Sequence, residues 1–530
     1  VVDNIKTSIT TEFFPKYPPF NGEPRKFQGE TIDEIFEAVE SGEKFIVLAA
    51  PTGSGKSVML YTLARAICKK YDGKAMFTTS QKVLQDQYEK DFPDMFVLKG
   101  RSNYPCHQPI DDTVTATCDN GICIYRPKDL PDCKPHCPYM VAKQNAILSD
   151  MVITNFSYLI LESNHVGSFG IRKVLIIDEA HNIENVLMSY VECTISEFVL
   201  KYCEFPAHLI NPPDFEFFDQ YENWLINVKA ECKNKIEKLT EEIENNPSSI
   251  FTDKIKKFEK ITSIHNKIAF MFYNKDKCRW IVDFDKDKKK VVFKPINVTT
   301  FAQGLVFQHA DVVIMSSATI SESYVKHCLG VEKFKYIEVP STFPVENRPI
   351  KCLNTGKMGY RDLDRTLPNI VKTVDFLLEQ HQNEKGIIHA TSYKIANYII
   401  DNTQCYGRII THNTKDRMEK LKEHMESDFP SVLLSPSMTE GIDLKDDLSR
   451  FQIIVKIPFP SLADKQIVAR MQEDKVWYAN LAAVTIMQAY GRSVRSKTDH
   501  ALTYILDSGF RYFLVSNQDL FCQWFKEAIK

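Results

Sequence analysis

Phe45 to Ser57 has the residue types, in the order, that hold a triphosphate. The run Phe45-Ile46-Val47-Leu48-Ala49-Ala50 is apolar and too short for a helix. It feeds Pro51-Thr52-Gly53-Ser54-Gly55-Lys56-Ser57, after which Val58 to Lys69 takes up a helical period. Strand, loop and helix in that order gather backbone amides and the positive end of a helix around a phosphate. Gly53 and Gly55 permit the backbone conformations this needs. Lys56 is spaced to reach the β- and γ-phosphates of ATP and Ser57 to hold Mg2+, with Pro51, Thr52 and Ser54 completing the loop. A second apolar run, Lys173-Val174-Leu175-Ile176-Ile177, ends in Asp178-Glu179-Ala180-His181. Asp178 suits Mg2+ held through its water shell, and Glu179 suits polarising an attacking water. An acidic helix cap would use the same two residues.

Cysteine supplies the next chemistry. Five of the fourteen cysteines, Cys106, Cys118, Cys123, Cys133 and Cys137, fall between Lys99 and Tyr139, where hydrophobic periodicity stops. Gly, Pro and Asp lie between them, so this segment has little apolar material for a core, and a bound metal centre is its natural organiser. Four thiolates suit zinc and an iron-sulfur cluster alike, and the spacing leaves open which cysteine is spare. Far down the chain, Gln488-Ala489-Tyr490-Gly491-Arg492-Ser493-Val494-Arg495 reads as helix, which puts Arg492 and Arg495 on one face. A planar guanidinium suits a γ-phosphate reached across a cleft, as in arginine fingers, and equally suits surface ion pairs.

The elements that must position these groups read as two sets of strands. Around the phosphate loop come an amphipathic run, Thr31 to Glu40, preceded by Gln28, and a strand, Lys74 to Ser80. Gln28 has the donors and acceptors to meet an adenine edge. Thr79 and Ser80, hydroxyls at a strand end, suit nucleic-acid phosphates or a helix cap, and Tyr158 offers a stacking surface. Met151 to Asn155 and Asp311 to Met315 complete a first sheet that ends in Ser316-Ser317-Ala318-Thr319. Between Val191 and Thr299 the composition turns charged. There, Phe218 to Ile243 and Ile255 to Phe272 step by three and four on either side of Asn245-Asn246-Pro247-Ser248-Ser249, which predicts an antiparallel helical hairpin. Beyond Pro340, Pro344 and Pro349 a second set of strands appears at Gly386–His389, Arg408–Ile410, Val432–Leu434, Ile453–Val455 and Leu502–Ile505, with helices between them.

Length and charge bound the remainder. A chain of 530 residues, 44% hydrophobic and 25% charged, predicts several globular domains. Lys plus Arg number 66 against 69 Asp plus Glu, a net charge of −3, so any basic groove for nucleic acid is local. No apolar stretch approaches a membrane span and no signal pattern opens the sequence, which predicts an intracellular protein, cytoplasmic or nuclear, with no membrane partner.

Taken together, the phosphate loop, Asp178-Glu179-Ala180-His181, Ser317-Ala318-Thr319, Glu440-Gly441-Ile442-Asp443, Pro458-Phe459-Pro460 and Gln488 to Arg495 resemble a superfamily 2 helicase of the XPD/DinG iron-sulfur group. Gly100-Arg101-Ser102-Asn103-Tyr104-Pro105-Cys106 and Cys137-Pro138-Tyr139 resemble the two ends of that family's cluster segment. The resemblance implies an α/β fold of two RecA-like parallel-sheet motor domains with a cysteine-rich cluster insertion and a helical arch insertion. It divides the chain into a first motor domain (1–98, 141–190 and 300–338), a cluster insertion (99–140), an arch (191–299) and a second motor domain (339–530). It favours [4Fe-4S] over zinc on Cys106, Cys118, Cys133 and Cys137, with Cys123 able to replace Cys118 or Cys133. It gives Gln28 an adenine contact, Asp443 a place among the nucleotide-binding residues, and Gln488 a place beside Arg492 and Arg495 in catalysis. It implies ATP-driven 5′ to 3′ movement on single-stranded and forked DNA, with RNA not excluded. A remodeller of protein–DNA or RNA–DNA complexes and a slow ATP-gated single-strand clamp are the competing readings. The family places an arginine close behind Ile505-Leu506-Asp507; here Ser508-Gly509-Phe510 intervene, so Arg511 is given no role.

Overall fold

The apolar run ahead of the phosphate loop is a strand buried in a parallel sheet. Ile46, Val47 and Leu48 are fully buried, each adding roughly 1.5–3 kcal/mol of hydrophobic stabilisation. The computed structural model describes residues 9–80, 82–107, 117–119, 121, 123, 134–245, 252–437 and 443–530. Cys133, Asn246-Pro247-Ser248-Ser249 and Glu440-Gly441-Ile442 lie outside the described residues.

In chain order the strands are β1 (Phe45–Ala49), β2 (Ala75–Thr79), β3 (Phe96–Val97), β4 (Met151–Asn155), β5 (Arg172–Asp178), β6 (Cys193–Ser196), β7 (Trp280–Asp285) and β8 (Lys290–Pro295). They continue as β9 (Ala310–Ser317), β10 (Lys335–Glu338), β11 (Ile350–Gly356), β12 (Gly386–His389), β13 (Ile409–Thr411), β14 (Val432–Ser435), β15 (Phe451–Ile454) and β16 (Leu502–Asp507). A first sheet runs β10-β1-β9-β5-β2-β4-β3 and a second runs β11-β16-β15-β12-β14-β13; every pairing in both is parallel. Parallel strands need crossover connections, and helices such as Lys56–Tyr71, Leu363–Gln380 and Lys475–Tyr490 supply them. The carboxyl ends of β1, β5 and β9 lie side by side, with Ala49 opposite Ser317 and Asp178 opposite Ser316. This brings together loops separated by more than a hundred residues, at the end of the sheet where α/β folds bind ligands.

The insertion after β5 contains the expected hairpin, helices Glu222–Asn245 and Thr252–Tyr273. It is not purely helical: β6, β8 and β7 form an antiparallel sheet at its base. In β8 the buried residues are Val291, Phe293 and Pro295, a period of two that charged neighbours obscure in the sequence. Among the described residues no helix is long and apolar enough to cross a membrane.

Candidate nucleotide site and cysteine cluster

The phosphate loop closes on itself through two left-handed glycines, Gly53 at φ +80° and Gly55 at φ +82°. Each also meets a neighbour too closely for any other residue. A side chain on Gly53 would begin 2.2 Å from the ring of Phe343, and one on Gly55 would begin 2.2 Å from the Gln28 amide nitrogen. Arg25 Nη1 donates to the Gly53 carbonyl at 2.8 Å and Gln28 Nε2 to the Ser54 carbonyl at 2.8 Å, bracing the loop from one side. Thr342 Oγ1 donates to Gly53 from the other at 3.3 Å.

Lys56 opens the following helix, and its ammonium lies 2.8 Å from Asp178 Oδ1 and 2.5 Å from Glu179 Oε1. Burial works against the charge on Lys56, but the two carboxylates hold its pKa well above the ordinary value. Burial likewise opposes ionisation of Glu179, and Lys56 with His181 outweighs it, so Glu179 stays far below the usual carboxylate range. Glu179 takes a left-handed backbone at φ +57°, an uncommon conformation for this residue type, at the tip of β5. Asp178 also accepts from Tyr88 at 3.1 Å. Tyr88 is buried on the helix Lys82–Asp91, where its residue type alone carries no sequence signal of such a contact.

A chain of side chains leads from here to the second sheet. His181 Nδ1 lies 2.7 Å from Ser317 Oγ and 3.2 Å from Glu179 Oε2. Gln488 Nε2 donates to Thr319 Oγ1 at 2.7 Å and lies 3.3 Å from His181 Nε2, while Gln488 Oε1 accepts from Arg492 Nη2 at 3.0 Å. Arg495 goes further: its Nε donates to Asp443 at 2.9 Å, and Nη1 reaches Thr52 Oγ1 in the phosphate loop at 3.4 Å. Carboxylates and lysine from one sheet thus face guanidinium groups from the other. This is the charge arrangement that a metal-bound polyphosphate requires.

Several sequence expectations change. The helix carrying Gln488 ends at Tyr490, so Arg492 and Arg495 sit in the turn beyond it rather than on a helix face. Gly491 caps the helix, the Ser493 hydroxyl bonds Ser449 Oγ at 2.8 Å, and Val494 packs with Phe343 and Ala501, which together turn the chain away. The Gln28 amide braces the loop, its oxygen accepting from Arg25 N and its nitrogen donating to the Ser54 carbonyl, which leaves one N–H and one lone pair for an adenine edge. Thr79 is fully buried and presents no surface for a strand. Ser80 is half-buried and accepts from Asn182 Nδ2 at 3.1 Å. The Tyr158 hydroxyl meets that of Tyr139 at 2.9 Å, so the ring supports the cysteine segment rather than standing free.

Four described thiols converge in that segment. Cys118 and Cys137 sulfurs are 3.8 Å apart, and Cys106 and Cys123 flank Gly121, at 3.0 and 3.6 Å from where a side chain there would begin. Burial, with Cys137 and Cys106 adding to it, pushes the Cys118 thiol up to about 12. Gathered neutral thiols that repel one another when ionised are what a cation relieves. Cys123 stands beside Cys106 at Gly121. Among the described residues no three ligand-type side chains stand at single-ion spacing.

The comparisons agree with this geometry. Residues 21–202 match the family described as type III restriction enzyme, res subunit, and residues 376–528 match the helicase C-terminal domain. A probable ATP-dependent helicase of Methanocaldococcus jannaschii is 23% identical, covering 94% of this chain and 93% of its own length. The ATP-dependent DNA helicase YoaA of Escherichia coli is 21% identical, covering 92% and 91%. Among solved structures, an XPD helicase superposes with a TM-score of 0.64 at 18% identity over 94% of this chain and 98% of that one. S. tokodaii Xpd4 gives 0.60 at 18% over 96% and 99%. Two parallel sheets facing one phosphate loop, with helicase relatives along nearly the whole chain, make it similar to the XPD/DinG-like superfamily 2 helicases.

Proposed function

We propose that this chain is an ATP-dependent DNA helicase that translocates 5′ to 3′ on single-stranded DNA and opens duplex at a fork. The observation that carries the reading is Arg495 reaching Thr52 from the opposite sheet. A nucleotide bound there bridges both sheets, so its hydrolysis moves one against the other. The phosphate loop binds ATP, with Lys56 on the β- and γ-phosphates and Ser57 and Asp178 holding Mg2+. Glu179 polarises the attacking water, and Arg492 and Arg495 stabilise charge in the transition state. Gln488, touching Thr319, His181 and Arg492 together, relays the state of the phosphate to the second sheet. These arginines speak against the slow clamp, which has no need of transition-state stabilisation.

Cys106, Cys118, Cys137 and one of Cys123 and Cys133 would hold a [4Fe-4S] cluster. When bound, it ties together a segment that lacks its own core. Protein purified without oxygen is expected to be brown with about four irons per chain; one zinc and no iron overturns the cluster. The polarity is tested with forked substrates. A duplex with only a 5′ single-stranded tail is opened when ATP and Mg2+ are present, and one with only a 3′ tail is not; efficient opening of the 3′-tailed fork reverses the reading.

A further inference from the structure

A second contact joins the two halves, away from the phosphates. Glu184 lies five residues after Glu179, at the start of the helix Ile183–Val191, and is buried. Its Oε1 accepts from Arg470 Nη1 and from Trp477 Nε1, the latter at 2.8 Å. Arg470 is buried too, stacks over the Trp477 ring with 4.1 Å from guanidinium carbon to ring centroid, and donates its Nη2 to the His327 carbonyl at 2.9 Å. Arg470 and Trp477 belong to helices that lie between β15 and β16 of the second sheet. Glu184 and His327 belong to the first.

Trp477 is on the helix Lys475–Tyr490, whose far end carries Gln488 and leads into Arg492 and Arg495. The helix is shared between two cores. Trp477 and Val484 pack into the core of the first sheet, while Ala482, Ala483, Ile486 and Met487 pack into that of the second. On the first-sheet side polar contacts follow one another along the helix from its cap to Gln488. Asp474 caps the helix and meets His327 Nδ1 at 2.7 Å, Asn480 donates to Ser323 at 2.9 Å, and Gln488 donates to Thr319 at 2.7 Å. A slip of one residue moves a helix about 1.5 Å and turns it about 100°, which would swing Gln488 off Thr319. Apolar contacts choose the buried faces of the helix but carry little directionality. A planar guanidinium donating to two fixed acceptors is directional.

We propose that Glu184 is a positioning residue: through Arg470 and Trp477 it sets the register of the helix Lys475–Tyr490 on the first sheet, and so the place of Arg492 and Arg495 at the phosphates. The inference rests on the ATP hydrolysis proposed above. One short segment then carries Glu179, His181 and Glu184, so the water-polarising group and the anchor for the arginines share a frame.

The test measures ATP turnover with single-stranded DNA, the KM for ATP, and affinity for ADP with aluminium fluoride, a mimic of the transferring phosphoryl group. Glu184→Gln and Trp477→Phe are compared with wild type, each also on an Arg492→Ala background. Both changes are expected to lower kcat about tenfold and weaken the mimic by the same factor, with KM within about twofold. On the Arg492→Ala background they should add less than on wild type, since Arg495 alone is then left to misplace. Trp477→Phe removes the indole donor and keeps an aromatic ring under Arg470, and it decides the matter where Glu184→Gln does not fold. A lowered melting temperature with unchanged kcat, or a kcat loss that multiplies in full on Arg492→Ala, overturns the positioning role. A wild-type chain with no ATP turnover overturns the underlying reading and the inference with it; a wild type that turns over alongside unaffected variants overturns the inference alone.

Discussion

The two parallel sheets end their strands against one cleft, yet they deliver opposite groups to it. β1 leads into the glycines and Lys56 and β5 into Asp178 and Glu179, with the lysine already paired to both carboxylates. The second sheet supplies Gln488 from the end of a helix and Arg492 and Arg495 from the turn beyond it, where the arginines rest on Gln488 and Asp443. The first half is thus a formed binding site, and the second is a set of groups parked beside it. Binding and turnover should therefore separate by mutation along the line between the sheets.

The largest effects belong to the first sheet. Lys56→Ala should lose turnover by about a thousandfold and weaken ATP binding, because the β/γ-phosphate contact and the partner of two carboxylates vanish together. Glu179→Gln should lose a comparable factor in turnover while ATP still binds. Nucleotide affinity and kcat measured for both decide this, and a Glu179→Gln enzyme with normal turnover removes that residue from the chemistry. A smaller effect is expected from Tyr88→Phe. It deletes one hydrogen bond to Asp178, worth about 1 kcal/mol, and should raise the Mg2+ concentration needed for half-maximal turnover several-fold. An unchanged Mg2+ dependence would show that Tyr88 only packs.

The smallest effect distinguishes the second sheet by its stability. Burial, with Arg492 adding to it, lowers His389 to about 4, and burial lowers His424 to about 4 as well. Below the ordinary value near 6.5 the unfolded chain takes up protons that the folded one refuses. Stability is therefore full above about pH 6.5 and falls toward pH 4, by roughly 1.4 kcal/mol per pH unit for each histidine. Gln452 is the polar neighbour of the buried His389 ring, and His389→Phe keeps most of the ring's shape and removes one titration. Melting curves between pH 7 and 4.5 should show a shallower decline in that variant. The same slope as wild type would rule His389 out.

How much of this was legible depended on distance along the chain. The phosphate loop, the acidic pair and strand Met151–Asn155 are contiguous, and the sequence places them where the structure does. The cysteines were visible as a cluster, but their grouping was not, since Gly121 rather than spacing brings Cys106 and Cys123 together. Glu184 with Arg470 and Trp477, and Tyr88 with Asp178, join residues 90 to 293 positions apart. No local pattern announces such pairs. β10 and β11 escaped notice because they are half-exposed and flanked by prolines, and β7 and β8 because charges dilute their alternation. The arginine pair was misplaced onto a helix because helical period continues through Arg492, while the tertiary contacts of Ser493 and Val494 end it.

The central claim is that one nucleotide is bound by the first sheet and made reactive by the second. Its most direct measurement is ATP affinity and single-turnover hydrolysis, side by side, in wild type and Arg495→Ala with single-stranded DNA present. The account predicts ATP affinity within about threefold of wild type and a hydrolysis step slower by about a hundredfold or more. Unchanged hydrolysis in Arg495→Ala, or a loss of binding with normal hydrolysis of what remains bound, would contradict it.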